Sequence, residues 1–403
     1  MVADPYPRSV EPAVIDITAV AAGGDGLGRE ESGRVVFVPG ALPGEQVTVE
    51  LDVGKKDFAR GRLVDVLTPS LDRALPPCPF VAAGCGGCDW QHVEPASQRR
   101  LKAEVVADAL RRQAHLEVAV DEGPALGATG YRTSLRGLAV EGRFGLRERA
   151  SHDVVAIGPC LIADPLVDEL VVEGRYPDGE VVLRAGARTG ERLVIVDRDP
   201  EAVGVPDGVR VVSTGELAAG RRAWFHEEVA GLRWRISARS FFQARPDGAE
   251  ALVDAVRVAA DGAAPAGGSL VDLYGGVGLF ARTLAEGKTV TLVETSASSI
   301  ADARVNLADL DARVLKVDVD RWRPAPADLV VADPPRKGLG RRAVEHVAAT
   351  GAARLVLVSC DPAALGRDAA LLATAGYDLV TAQLVDLFPH TSHVEVVSRF
   401  DRR

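Results

Sequence analysis

The spacing of apolar and polar residues changes character along the chain. Between residues 9 and 67, short apolar stretches alternate with turn signals. Val14-Ile15-Asp16-Ile17 is followed by Gly23-Gly24-Asp25-Gly26, then by Val35-Val36-Phe37-Val38-Pro39-Gly40, then by Gln46-Val47-Thr48-Val49-Glu50. Strands this short, punctuated by Gly and Pro, predict a small closed β-barrel. Ser70 to Pro77 reads as a linker. Pro95 to Val120 predicts a helix, with Ser97, Arg100 and Lys102 on a mostly polar surface. Residues 131 to 239 hold further strand candidates, among them Val154-Val155-Ala156-Ile157 and Arg192-Leu193-Val194-Ile195-Val196, without an internal repeat.

From about residue 247, helical stretches alternate with strands that are apolar nearly throughout: Leu270 to Tyr274, Val290 to Glu294, Leu329 to Asp333 and Leu355 to Ser359. Such strands are buried on both faces, as in a parallel sheet covered by helices. The fold class expected is therefore α/β, with a doubly wound domain whose ligands sit at the carboxyl ends of the strands. At roughly 150 residues per domain, 403 residues leave room for two or three units. The pattern divides them as 1–68, 69–246 and 247–403.

Composition narrows the function classes. A hydrophobic share of 47% with 26% charged residues excludes a mainly disordered or collagen-like chain. No apolar run approaches the ~18 residues needed to cross a bilayer. The opening MVADPYPRSVEP carries Pro and mixed charge, so neither a secretory signal nor a membrane partner is expected, and the localisation expected is cytoplasmic. The net charge of −10 weighs against a generic polyanion binder. Residues 9 to 66 are themselves acidic, so any nucleic-acid affinity needs a local basic face, with Arg99-Arg100, Arg111-Arg112 and Arg341-Arg342 as candidates.

Four motifs carry chemistry. Asp272-Leu273-Tyr274-Gly275-Gly276-Val277-Gly278 closes one strand and opens a helix, and its glycines allow a close backbone approach to a ligand. Glu294 follows at the end of the next strand, where a carboxylate can accept from ribose hydroxyls. This spacing does not separate a dinucleotide from S-adenosylmethionine, and the absence of a Gly-Lys-Ser/Thr loop argues against ATP or GTP. Cys360 ends an apolar strand just before a predicted helix, where a helix N-terminus stabilises a thiolate; a buried structural cysteine is the plainer alternative. Asp333-Pro334-Pro335-Arg336 ends another strand, and strand-type alternation puts His393 and Glu395 on one face. Finally, Cys78, Cys85 and Cys88 fall within eleven residues as C-x6-C-x2-C, with Cys160 or Cys360 as the candidate fourth thiolate. That set predicts a metal site, and spacing leaves zinc and iron–sulfur both open.

Taken in order, these segments resemble the RNA (uracil-5-)-methyltransferase family in its iron–sulfur form with an N-terminal TRAM domain. The resemblance rests on Ala21 to Gly28, on the CxxxxxxCGGCxWQH stretch through His92, and on Tyr131-Arg132 and Ser240-Phe241-Phe242-Gln243. It continues through the Asp272 turn, the Asp333 loop, Ser359-Cys360-Asp361-Pro362 and Phe388 to Glu395. It implies a class I, Rossmann-like methyltransferase domain, an OB-like TRAM barrel similar to RNA-binding modules, and a central α+β domain carrying a 4Fe-4S cluster on Cys78, Cys85, Cys88 and Cys160. It implies a monomer acting on structured RNA, with 23S rRNA the expected target and tRNA the alternative.

The resemblance also implies a mechanism. Cys360 adds to carbon 6 of a flipped uracil, and the resulting enolate takes the methyl group of S-adenosylmethionine at carbon 5. Glu395 then removes the carbon 5 proton. Gln243, Tyr274, Glu294 and Asp318 are implied as the S-adenosylmethionine contacts, with Asp333 near both uracil and methyl donor. Three places depart from the family pattern: Asp361 stands for Asn, Gly275 for Cys, and the pair Ala244-Arg245 for an apolar residue and Asn. Asp361 would add a negative charge beside the thiolate, and Arg245 puts one substrate contact in doubt. A silent RNA-binding homologue, and more weakly a zinc hydrolase, are the competing classes; filled zinc coordination by four thiolates leaves the latter no open position.

Overall fold

The computed structural model describes residues 12–52, 57–265 and 267–403; residues 1–11 and 53–56 of the expected first unit lie outside the described residues. Five strands close into a barrel in the order Ala13–Val20, Gly26–Arg29, Val35–Val38, Phe58–Thr68, Gln46–Leu51. Alternation sends Ile15, Ile17, Val36, Val38, Val47 and Val49 inward, where all are nearly inaccessible. Closure satisfies strand edges that would otherwise be exposed.

The middle of the chain forms a six-stranded sheet, Val209–Ser213, Arg192–Val196, Gly179–Ala185, Ser134–Val140, Arg143–Arg147, Val154–Ala156, with the helix Pro165–Glu173 packed on it. The hairpin Trp224–Val229 and Leu232–Ser237 leads on to the last unit.

That unit is built on an eight-stranded sheet. Its order is Ala312–Lys316, Thr289–Glu294, Ser269–Leu273, Leu329–Ala332, Arg354–Ser359, Val396–Arg402, Tyr377–Leu384, Val120–Asp121. The first five strands are parallel and Val396–Arg402 runs antiparallel beside Arg354–Ser359. Every residue of Leu329–Ala332 and Arg354–Ser359 is buried, as continuous apolar runs require. Among the described residues, no helix is long and apolar enough to cross a membrane.

Two expectations are corrected here. The helix starts at Pro95 but ends at Ala114, capped by His115 in the left-handed region (φ 55°). Val120 and Asp121 are an edge strand of the large sheet, so the chain crosses between units before residue 247. Lys102 is fully buried rather than on a polar surface, and its Nζ donates to Asp386 Oδ1 at 2.6 Å and to the Phe388 carbonyl at 3.1 Å. Lys102 is covered by the Trp90 ring, whose centroid lies 5.9 Å from Nζ, and by the segment carrying Asp386 and Phe388, while the helix itself packs on Pro362–Thr374. Gly366 permits the contact, since a Cβ there would stand 2.7 Å from the Ala109 carbonyl oxygen.

Candidate active site

The parallel strands end on one side of the sheet, and the turns that follow them build a cavity of about 720 Å³. Gln243, Tyr274, Glu294, Asp318, Asp333, Cys360 and Glu395 all line it. Residues from seven separate chain segments thus meet where a doubly wound sheet binds its ligands.

At one end, the strand Ser269–Leu273 runs into the Gly turn. Tyr274 takes φ 60°, a costly conformation for a non-glycine residue that persists at sites the surroundings over-determine. Gly276 (φ 54°) has nothing within 4 Å of where a Cβ would stand, so its backbone faces open space. Glu294 is pinned at the tip of the neighbouring strand: its carboxylate accepts from the backbone N–H groups of Gly276 (3.1 Å), Thr295 (2.6 Å) and Ser296 (2.7 Å). The Asp318 carboxylate accepts from the Asp320 N–H at 2.8 Å, which holds the next strand's exit turn. Asp272, whose part sequence reasoning missed, is fully buried beneath this turn and accepts from the Ala281 N–H at 2.8 Å. Burial pushes its carboxyl up to about 8, so it stays neutral at pH 7 and locks the turn to the helix below.

At the other end stand Cys360, Asp333 and Glu395. Burial, and then the nearby Glu395 and Asp333 charges, push the Cys360 thiol up to about 11, with Arg336 opposing. This reverses the expectation of a helix-stabilised thiolate, because three acidic groups crowd one poorly solvated space. Burial lifts Asp333 to about 7, and burial together with Asp333 raises Glu395 well above the usual carboxylate range. A carboxyl lifted to about 7, as Asp333 is, can take up and give back a proton near neutral pH.

Two departures from the family pattern find their use outside the cavity. Asp361 caps the helix Pro362–Thr374, its Oδ1 accepting from the Ala364 N–H at 2.7 Å; the charges acting on Cys360 come from elsewhere. Arg245 is buried and pairs with Asp247 at 2.6 Å. It also donates to the Gly127 carbonyl and lies over the Tyr131 ring at 4.4 Å. At Gly275, a Cβ would stand 2.6 Å from Leu292, so that side chain fills the space a cysteine would take.

Glu395 and His393 are not strand residues. The strand begins at Val396, and both lie in the loop before it. That loop is tied down by groups the sequence did not reveal. The His390 N–H donates to Gln98 Oε1 (2.7 Å), and the His390 carbonyl accepts from the Trp90 N–H (2.9 Å). The Pro389 carbonyl accepts from Tyr131 Oη (3.0 Å). The Asp89 carboxylate accepts from the Ser392 N–H (2.8 Å) and from its Oγ (2.6 Å). The barrel joins at the same place, since Trp90 Nε1 donates to the Gly24 carbonyl at 3.1 Å and a Cβ at Gly24 would stand 2.4 Å from Ser392.

Cys78, Cys85, Cys88 and Cys160 line a second cavity of about 410 Å³. Arg132 and His393 line both cavities, which places them side by side. Among the described residues, no three metal-binding side chains converge as they would on a single ion. The four thiols instead surround a space. Backbone N–H groups point at two of them: Gly87 at Cys85, and Ile162 and Ala163 at Cys160. Gly86 and Gly87 keep the loop tight, because a Cβ at either would come within 2.9 Å of the segment Leu146–Arg147. Thiols and backbone N–H donors around one cavity are donor types found at both zinc and iron–sulfur sites.

Comparisons with known proteins agree with this architecture. The TRAM domain family matches residues 14–64. An uncharacterized RNA methyltransferase of Streptomyces coelicolor is 38% identical over 98% of this chain and 94% of its own length. One of Streptomyces avermitilis is 38% identical over 95% of this chain and 96% of its own. The crystal structure of the Pyrococcus abyssi tRNA (uracil-54, C5)-methyltransferase with S-adenosyl-L-homocysteine superposes with a TM-score of 0.73, covering 96% of this chain and 99% of that one at 23% identity. The large sheet therefore has the class I methyltransferase fold, and this chain belongs to the family of RNA methyltransferases that these relatives represent.

Proposed function

We propose that the protein methylates carbon 5 of one uridine in a structured RNA, with 23S rRNA as the target and S-adenosylmethionine as donor. The observation that carries this reading is the meeting of a thiol, two raised carboxyls and a glycine-turn ligand site in one cavity. When bound, S-adenosylmethionine supplies an electrophilic methyl group on a cationic sulfonium. Gln243, Tyr274, Glu294 and Asp318 hold it, the Glu294 carboxylate taking the ribose hydroxyls. Cys360 Sγ, as thiolate, adds to carbon 6 of the flipped uracil, and the electron pair of the 5,6 double bond moves to make carbon 5 nucleophilic. Asp333 faces the uracil ring. After carbon 5 has taken the methyl group, Glu395 accepts the carbon 5 proton, the double bond re-forms, and Cys360 leaves as thiolate.

The N-terminal barrel, within 1–68, is the RNA-binding TRAM unit. Residues 69–246 supply the central unit and 247–403 the methyltransferase unit, to which the helix Pro95–Ala114 and the strand Val120–Asp121 also contribute. Cys78, Cys85, Cys88 and Cys160 hold a 4Fe-4S cluster that braces the loop carrying Glu395.

The test is label transfer from S-adenosylmethionine to rRNA and tRNA of a strain lacking the gene, followed by mapping of 5-methyluridine. Cys360→Ala is expected to abolish both methylation and covalent RNA adducts. Glu395→Gln is expected to trap a denaturation-resistant adduct. Full methylation by Cys360→Ala would overturn the mechanism. Label in tRNA alone would move the target to tRNA, the substrate class of the Pyrococcus abyssi enzyme.

A further inference from the structure

A doubly wound sheet is covered by helices on both faces. Between the strands Ala312–Lys316 and Leu329–Ala332 this chain supplies only the short turn Val319–Arg321. The sheet face beneath is left as an open groove of about 470 Å³. Leu315 and the buried Trp322 form part of its apolar wall. Arg313, Lys316, Arg321 and Arg323 stand around it, all exposed, and no carboxylate lines it.

Among the described residues, none of these four cations forms an ion pair, although the chain carries a net charge of −10. Of the arginine pairs singled out from the sequence, Arg341-Arg342 is likewise without an ion pair among the described residues, whereas the other two behave differently. Arg100 is paired with Asp72 and Glu104, Arg111 and Arg112 with Asp108, and Arg99 lies 4.0 Å from Glu122. Four unpaired like charges around one groove repel one another in the free protein, and an anion relieves that repulsion.

We propose that this groove is a second RNA contact, which takes phosphodiester groups flanking the target uridine. The proposal rests on the reading of the protein as an RNA methyltransferase that acts on structured RNA. RNA affinity is dominated by neutralised phosphates. The acidic barrel and the already paired arginines are poorly suited to supply it. Val317 lines both the groove and the large cavity, so the two adjoin at that residue. RNA whose uridine enters the cavity reaches the groove along its backbone without crossing the acidic barrel.

The test uses the full chain and the RNA found to accept label. Its dissociation constant is measured between 50 and 200 mM KCl for the wild type and for a variant carrying Arg313→Gln, Lys316→Gln, Arg321→Gln and Arg323→Gln. A control carries Arg313→Lys, Arg321→Lys and Arg323→Lys, which keeps the charge. The plot of log affinity against log salt is expected to lose about one unit of slope per phosphate contact removed in the Gln variant. The Lys control is expected to keep the slope. S-adenosylmethionine binding, and turnover of a short oligonucleotide too small to reach the groove, are expected to stay as in the wild type. An unchanged slope and affinity in the Gln variant, with the wild type methylating its RNA, would overturn the groove alone. A wild type that methylates no RNA would overturn both readings.

Discussion

The loop that carries Glu395 offers the sharpest test of the site, through a residue outside the cavity. Replacing Asp89 by Ala removes an acceptor for two hydrogen bonds, from the Ser392 N–H at 2.8 Å and Oγ at 2.6 Å. Bonds to a charged acceptor contribute about 1.5–3 kcal/mol each. Both residues are only partly buried, so the lower end applies, and the tether is worth roughly 3 kcal/mol. The loop does not come free, because Trp90, Gln98 and Tyr131 still hold His390 and Pro389. What loosens is the stretch from Ser392 to Glu395. A misplacement near 1 Å costs about a hundredfold in rate, so kcat is expected to fall ten- to a hundredfold, with KM for S-adenosylmethionine within about twofold. A merely structural loss would lower every step together. Displacing the base alone slows the step after methyl transfer, so the Cys360–RNA adduct should accumulate. Single-turnover kinetics with denaturing gels would read both quantities. Asp89→Asn, which still accepts from the Ser392 N–H, should recover part of the rate. Unchanged kcat, or a fall in kcat with no build-up of adduct, would refute this account of the tether.

Three other outcomes are expected. With its thiol near 11, Cys360 should be alkylated by iodoacetamide about tenfold faster per pH unit between pH 7 and about 10. Glu395→Gln removes a repelling anion and should shift that profile to lower pH; peptide mass spectrometry on Cys360 checks it, and a rate already flat at pH 8 would contradict it. Lys102→Ala leaves Asp386 buried without its partner and should cost about 3–5 kcal/mol in urea denaturation; a loss below about 1 kcal/mol would mean that water reaches the site. Anaerobically purified protein should be brown, with bound iron and acid-labile sulfide, and Cys88→Ser should lose both; a colourless protein holding one zinc would replace the cluster with a single ion.

Much of the fold was legible because its signals are local. Apolar runs such as Leu329 to Ala332 and Leu355 to Ser359 read as buried strands from composition alone, and their observed limits differ by a residue or so. The barrel was marked by strand length and glycine turns. Lys102 was misread because its partner, Asp386, lies 284 residues away, and no periodicity within a helix can announce a distant carboxylate. His393 and Glu395 alternate as strand residues do, yet tethers from Asp89, Trp90 and Gln98 hold them in a loop.

The sequence by itself determined which side chains could do chemistry and which strand ends or turns would carry them. Cys360, Glu294 and Asp333 stand at strand termini, where the backbone must turn and expose them. Only the tertiary structure decided their environment. Burial beside Asp333 and Glu395 sets the acidity of Cys360 against the pull of its helix. It also left Arg313, Lys316, Arg321 and Arg323 unpaired around one groove while other arginines were paired. Charge and solvation act through space, over a few ångströms, between residues the chain keeps far apart.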